Sequence, residues 1–250
     1  MKIARFIADG RELYGLVEGS EIKVIEGNIF DSYAVTAETL PLADVKLLAP
    51  VKPSKVVGIG LNYQAVAKAK GVEFPPEPIL FLKPPSSIIG PADLIVLPEM
   101  VKQPAFEVEI AIVIGKQAKN VTEDDALDYS LGYTLANDLT AKDHMAKGQP
   151  WTKGKSFDTF TPVGPYIVTG IDPDNTEITC LLNGSEKQRS NTSDMIFNSR
   201  QLIAFVSQVM TLEPGDIILT GTPVGGGECK RGDTITLASS ELGSMINSVR

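Results

Sequence analysis

The run Phe106-Glu107-Val108-Glu109-Ile110-Ala111-Ile112-Val113-Ile114-Gly115 places acids at alternate positions at one end and only apolar residues and a glycine at the other. Side chains alternate across a strand, so Glu107 and Glu109 fall on one face, their Cα atoms roughly 7 Å apart at a rise of about 3.3 Å per residue. Phe106, Val108, Ile110 and Ile112 take the opposite face, while Ala111 and Val113 continue the acidic face with apolar side chains. A segment of this kind belongs inside a sheet, covered on both sides along its C-terminal half. KVVGIG at 55–60 and DIILTG at 216–221 are further short apolar runs bounded by turn residues. Together they predict a strand-dominated domain with peripheral helices, among them Glu123 to Ser130 and Ser199 to Met210.

The segments KIARFIA, ELYGLVEG and EIKVIEG, separated by turns at Asp9-Gly10 and Gly19-Ser20, read as a small β unit over residues 1–47. Pro50 and Pro53 then favour an extended connector. The expected division is therefore a small N-terminal β domain, 1–47, and a main domain, 48–250. The long loops at 83–104 and 138–160, rich in Pro, Gly, Asn, Asp and Ser, are the natural places for binding chemistry on such a scaffold.

Several function classes fall away. A formal net charge of -8, with Lys and Arg interspersed among acids, leaves no basic stripe for nucleic acid. No apolar run approaches the roughly 20 residues that span a bilayer. Arg5, Asp9 and Arg11 interrupt any secretory h-region, so a cytoplasmic location is expected. Cys180 and Cys229 lack CxxC spacing and a nearby His, which disfavours zinc or redox chemistry. GIGLNY at 58–63 has no third glycine at the dinucleotide spacing, and GTPVGGG at 221–227 lacks the Lys-Ser/Thr ending of a phosphate loop.

For Glu107 and Glu109, strand alternation alone fits a solvated face as well as a metal site. Two carboxylates on a buried strand repel each other and resist desolvation unless a cation compensates them. Asp138 adds a third carboxylate where the apolar run GYTLAN ends abruptly in polar residues. An all-oxygen set of three carboxylates suits Mg2+ or Mn2+ and offers nothing to a soft metal.

In GIGLNY, FLKPPSSIIGP at 81–91, FEVEIAIVIGK, GYTLANDLTAKD, WTKGKSFDTFTPVGP at 151–165, LNGSEKQRSNTSDMIF at 182–197 and EPGDIILTGTPVGGG at 213–227, the chain resembles the fumarylacetoacetate hydrolase family from about residue 50 onward. The resemblance implies a mixed, β-rich α+β fold of β-roll type and a homodimer. It also implies a site for Mg2+, Mn2+ or Ca2+ at Glu107, Glu109 and Asp138. It places Lys155 beside the metal, which makes it the best candidate for a catalytic proton relay, and Thr222 on a substrate carboxylate. Gln188 and Lys83 fall in similar substrate-facing stretches, with solvated surface charge the alternative for Lys83.

One departure narrows the reaction. Many hydrolytic relatives follow the Asn-Tyr pair with a short lid helix whose His and Glu orient and deprotonate water. Here those positions hold Val66 and Ala69. Loss of such a base removes on the order of 10²- to 10⁴-fold from a reaction that needs activated water. His144 and Glu73 are weak substitutes on sequence grounds. The expectation is a divalent-metal enzyme of small 2-oxo or enol (di)carboxylic acids, working through an enolate as an isomerase or tautomerase. A decarboxylase or carbon-carbon hydrolase with another base is the alternative, and a non-catalytic oxo-acid binder a third. Lys155 is expected to have a lowered pKa from burial and a nearby cation.

Overall fold

The computed structural model describes residues 1–146, 148 and 150–250. Hydrophobic runs of alternating and continuous type become strands, and the described residues are β-rich with three short α-helices, α1 (Gln64–Lys70), α2 (Thr152–Lys155) and α3 (Ser199–Val209). The largest sheet has 12 strands. Its main path runs Tyr33–Pro41, Glu21–Gly27, Arg11–Glu18, Lys2–Ala8, Thr161–Val168, Ser130–Asn137, Val108–Ile114, Ile217–Leu219, Val56–Gly60 and Ile79–Lys83. A separate sheet of 4 strands, Ser185–Asn191, Glu177–Leu182, Thr234–Ser239 and Gly243–Ser248, contributes to the main core.

Val108–Ile114 lies at the centre of this arrangement, with every residue buried. Val108, Ile110, Ile112 and Ile114 join the largest apolar cluster, and Ala111 and Val113 join a second cluster on the other face. The two-sided burial expected from the sequence is thus observed, with Glu109 on the Ala111 face.

The N-terminal strands extend the same large sheet. Lys2 and Ile3 pair with Val168 and Ile167, so the chain on either side of the 47/48 boundary shares one hydrogen-bonded network. Tyr33–Pro41, an element the sequence pattern did not suggest, forms the sheet edge. Helix α3 forms as expected: Asn198 and Gln201 make a reciprocal capping box, and Leu202, Ile203 and Val206 bury its apolar face. The helix expected over Glu123 to Ser130 is only a 3-10 turn, Ala126–Tyr129, because the segment offers too few apolar positions to anchor a longer helix.

Candidate active site

The three carboxylates converge, although not by the route the alternation suggested. Glu107 falls between two strands, Pro104–Phe106 and Val108–Ile114, which belong to different sheets. Pro104–Phe106 pairs with Thr140–Ala141 and Gly227–Glu228, whereas Val108–Ile114 pairs with Ser130–Asn137 and Ile217–Leu219. At the switch the Glu107 N–H donates to Asn137 Oδ1 at 2.9 Å, and the Glu107 carbonyl accepts from the Asp138 N–H at 2.9 Å. This junction brings one oxygen each of Glu107, Glu109 and Asp138 within 4.8 Å of one another.

Each acid has distinct support. Glu109 is 2% exposed and its Oε2 accepts from the Gly221 N–H at 2.7 Å. Gly221 has φ +99, and a Cβ there would meet Asn62 Cβ at 2.8 Å, so the close approach of this N–H requires glycine. Burial, followed by the charge of Asp138, holds the Glu109 carboxyl well above its usual range. Asp138 is 1% exposed; its Oδ1 accepts from Lys83 Nζ at 2.5 Å and its Oδ2 from Lys155 Nζ. Burial would raise its pKa, but Lys155 and Lys83 outweigh that and the net shift is downward.

Lys155 ends α2 and also donates to Glu107 Oε2 at 2.8 Å, with its ammonium 4.9 Å from the centre of the Phe81 ring. Burial pulls its pKa down, yet the charges of Asp138 and Glu107 dominate and raise it. Among the chain's own groups, two carboxylates within hydrogen-bonding reach outweigh the burial expected to lower it.

Glu107, Glu109, Asp138, Lys155 and Thr222 line one cavity of about 300 Å³. Lys83 and Gln188 do not. Lys83 is 1% exposed and donates to Asp138, to the Leu139 carbonyl at 3.1 Å and to the Phe160 carbonyl at 2.9 Å, so all three ammonium hydrogens are engaged behind the carboxylate. Neither a substrate-facing position nor solvated surface charge describes it. Gln188 is 1% exposed; its Oε1 accepts from the Val108 N–H at 3.0 Å, and its Nε2 donates to Thr222 Oγ1 and the Pro223 carbonyl, each at 2.9 Å. It braces the acidic strand and the Thr222 loop rather than facing the cavity. The Thr222 hydroxyl gives its hydrogen to the Val108 carbonyl at 2.9 Å, so it has none left for a ligand.

Most of the remaining wall is apolar, including Ile59, Val66, Phe81 and Trp151, and Lys70, Lys142 and Thr140 add polar groups to it. Val66, on α1, faces the cavity, but Ala69 is exposed and does not. His144 lies elsewhere, its Nε2 3.0 Å from the Met100 carbonyl, and Glu73 is exposed and outside the lining. Phe81 and Trp151 are site residues that the sequence motifs did not single out. Their signal was the paired glycines of GIG: a Cβ at Gly58 would meet the Phe81 ring at 2.1 Å, and one at Gly60 the Trp151 ring at 2.4 Å.

The family profile "Fumarylacetoacetate (FAA) hydrolase C-terminal" matches residues 55–250. The chain belongs to the fumarylacetoacetate hydrolase family. A second profile, "Rv2993c-like, N-terminal", matches residues 1–50. Among relatives, the mitochondrial oxaloacetate tautomerase Fahd2a of Rattus norvegicus is 46% identical over 222 residues, covering 84% of this chain and 71% of the relative. The crystal structure of 2-hydroxyhepta-2,4-diene-1,7-dioate isomerase from Mycobacterium marinum matches with a TM-score of 0.93 and 39% identity, over 100% of this chain and 98% of that one. Maleylpyruvate hydrolase from Sphingobium sp. SYK-6, in complex with manganese (II) ion and pyruvate, matches with a TM-score of 0.82 and 32% identity, over 100% and 98% of the two chains. Family relatives thus include isomerases, tautomerases and hydrolases of oxo acids.

The donor set fits a hard divalent cation. It is all oxygen and anionic, and burial, then the charge of Asp138, raises the Glu109 pKa, a cost of holding the carboxylate that such a cation offsets. No helix among the described residues is long and apolar enough to cross a membrane.

Proposed function

We propose that this protein is a Mg2+- or Mn2+-dependent tautomerase or double-bond isomerase of a small 2-oxo acid, with Glu107, Glu109 and Asp138 as the cation's ligands. The observation that carries the reading is the composition of the cavity wall: a proton-bearing Lys155 sits at the acidic cluster, while α1 contributes Val66 and no water-activating pair. The likeness to an oxaloacetate tautomerase and to a dienedioate isomerase supports the same class.

A cation held by the three acids supplies positive charge that polarises the oxo group of a 2-oxo acid and favours its enol. The residues of the chain then need only move protons. Lys155, hydrogen-bonded to Glu107 Oε2 and Asp138 Oδ2 in the cavity wall, is placed to deliver a proton to carbon as an enol becomes a ketone. The proton released by the enol hydroxyl restores the ammonium, so the mass of the substrate is unchanged. Phe81 and Trp151 shield the reacting carbon from water.

Purified, Mn2+-loaded protein offered enol-oxaloacetate, hydroxyheptadienedioate and an acylpyruvate separates the possibilities by ultraviolet absorbance and product mass. Turnover at constant mass is expected. Loss of carbon dioxide or gain of water would replace the proposal with a decarboxylase or hydrolase, and binding without turnover with a non-catalytic binder.

A further inference from the structure

Helix α1 places a second charge in the cavity wall. Val66 and Lys70 are four residues apart, hence on one face of the helix, and both line the cavity. Val66 is half-buried and Lys70 exposed, so this face runs outward from the site toward solvent and ends in an ammonium group. Among the described residues Lys70 makes no ion pair, and the same is true of Lys142, the other cationic lining residue outside the acidic cluster. The carboxylates, by contrast, lie at the buried end: Glu109 and Asp138 are 2% and 1% exposed.

Resting on the proposed oxo-acid site, we infer that Lys70 reads the distal carboxylate of the substrate and selects oxo dicarboxylic acids over monocarboxylic ones. The carboxylates of Glu107, Glu109 and Asp138 formally balance the ammoniums of Lys155, Lys70 and Lys142 in the lining. A divalent cation at the acids leaves two positive charges unanswered, before Lys83 behind Asp138 is considered, and a dianion answers both. The gradient of burial gives the orientation: the oxo-acid end lies at the acidic floor and the second carboxylate at the mouth, beside Lys70. A cavity of about 300 Å³ is at the small end of ligand sites and suits a short diacid.

The test compares enol-oxaloacetate with the enol of its 4-methyl ester, which keeps the oxo-acid end and neutralises the other. In Lys70→Met, KM for the diacid is expected to rise about tenfold relative to the ester, between the effect of an exposed ion pair and that of a buried charged hydrogen bond. Lys70→Arg should restore the preference, and Lys68→Met, an exposed neighbour outside the lining, should leave it intact. Dissociation constants of the diacid and its ester, measured calorimetrically on Mn2+-loaded protein, read the same ratio without turnover. Wild-type protein that binds both but converts neither would therefore overturn the tautomerase reading while still deciding the role of Lys70. Equal losses for diacid and ester, an unchanged ratio, or a fall in kcat alone would overturn the assignment.

Discussion

Lys83 Nζ lies 2.5 Å from Asp138 Oδ1, with both side chains sealed from solvent at 0% and 1% exposure. The pair is separated by 55 residues, so it ties the strand Ile79–Lys83 to the end of Ser130–Asn137 and fixes one carboxylate of the acidic cluster. Removing one partner of a buried pair strands the other charge, at a cost of about 3–5 kcal/mol. Lys83→Met is expected to lose that much in urea unfolding, and Lys83→Met/Asp138→Asn to recover most of it. If Lys83 instead contacted substrate, its loss would change KM and leave the unfolding midpoint in place.

The elevated Glu109 carboxyl makes a prediction about pH. Burial and then Asp138 raise it well above its ordinary value of 4.5. The folded chain therefore holds a proton that the unfolded chain releases, and the resulting stability is present below that ordinary value and lost as the pH rises through the folded one. Asp138, shifted below 3.8, acts in the opposite sense, losing its contribution only at more acidic pH. Lys83, held down by burial from 10.5, also opposes Glu109, so comparison with Glu109→Gln isolates the carboxyl. Calorimetry on chelator-treated and Mn2+-loaded protein should show a cation-induced rise in Tm that grows as the pH rises above that ordinary value in the wild type. The variant should show neither the growth nor the cation response; a wild-type response independent of pH would contradict this account.

The contrast between strands and site shows which physical information is local. Lys2–Ala8 and Glu21–Gly27 are legible to the residue because apolar patterning and glycine turns lie within a few positions of each other. Tyr33–Pro41 is not, since an edge strand with mostly exposed residues needs no apolar alternation. Alternation also brought Glu107 and Glu109 together for an incomplete reason. The break at Glu107 is imposed by Thr140–Ala141 and Gly227–Glu228, partners remote in sequence. Family motifs pointed to Lys83 and Gln188, but whether a polar side chain faces a ligand or braces a neighbour depends on contacts made across 55 residues for Lys83–Asp138 and 80 for Gln188–Val108.

Gln188 leads to a prediction about positioning. Its amide satisfies the Val108 N–H between the two glutamates and holds Thr222 from the other side. In Gln188→Leu that buried N–H loses its partner, which costs about 1–3 kcal/mol. Because outer hydrogen bonds orient metal ligands, Mn2+ affinity should also fall about tenfold. Chemical unfolding and Mn2+ titration measure the two effects. A change confined to KM would return Gln188 to the substrate.

The aromatic wall can be moved through the glycine that admits it. A Cβ at Gly60 would stand 2.4 Å from the Trp151 ring, inside any tolerable contact, so Gly60→Ala must displace that ring. Trp151 packs edge-on against Phe81 at 5.5 Å between ring centres, and Phe81 in turn lies under the Lys155 ammonium. Displacement therefore reaches Lys155, the proposed proton carrier, through two aromatic contacts. Since small misplacements of reacting groups are costly to rate, kcat/KM should fall by about 10-fold or more. Trp151 is the chain's single tryptophan, so its emission reports the movement directly. A red shift with greater quenching by acrylamide is expected in Gly60→Ala. Unchanged emission together with lost activity would place the defect elsewhere in the site.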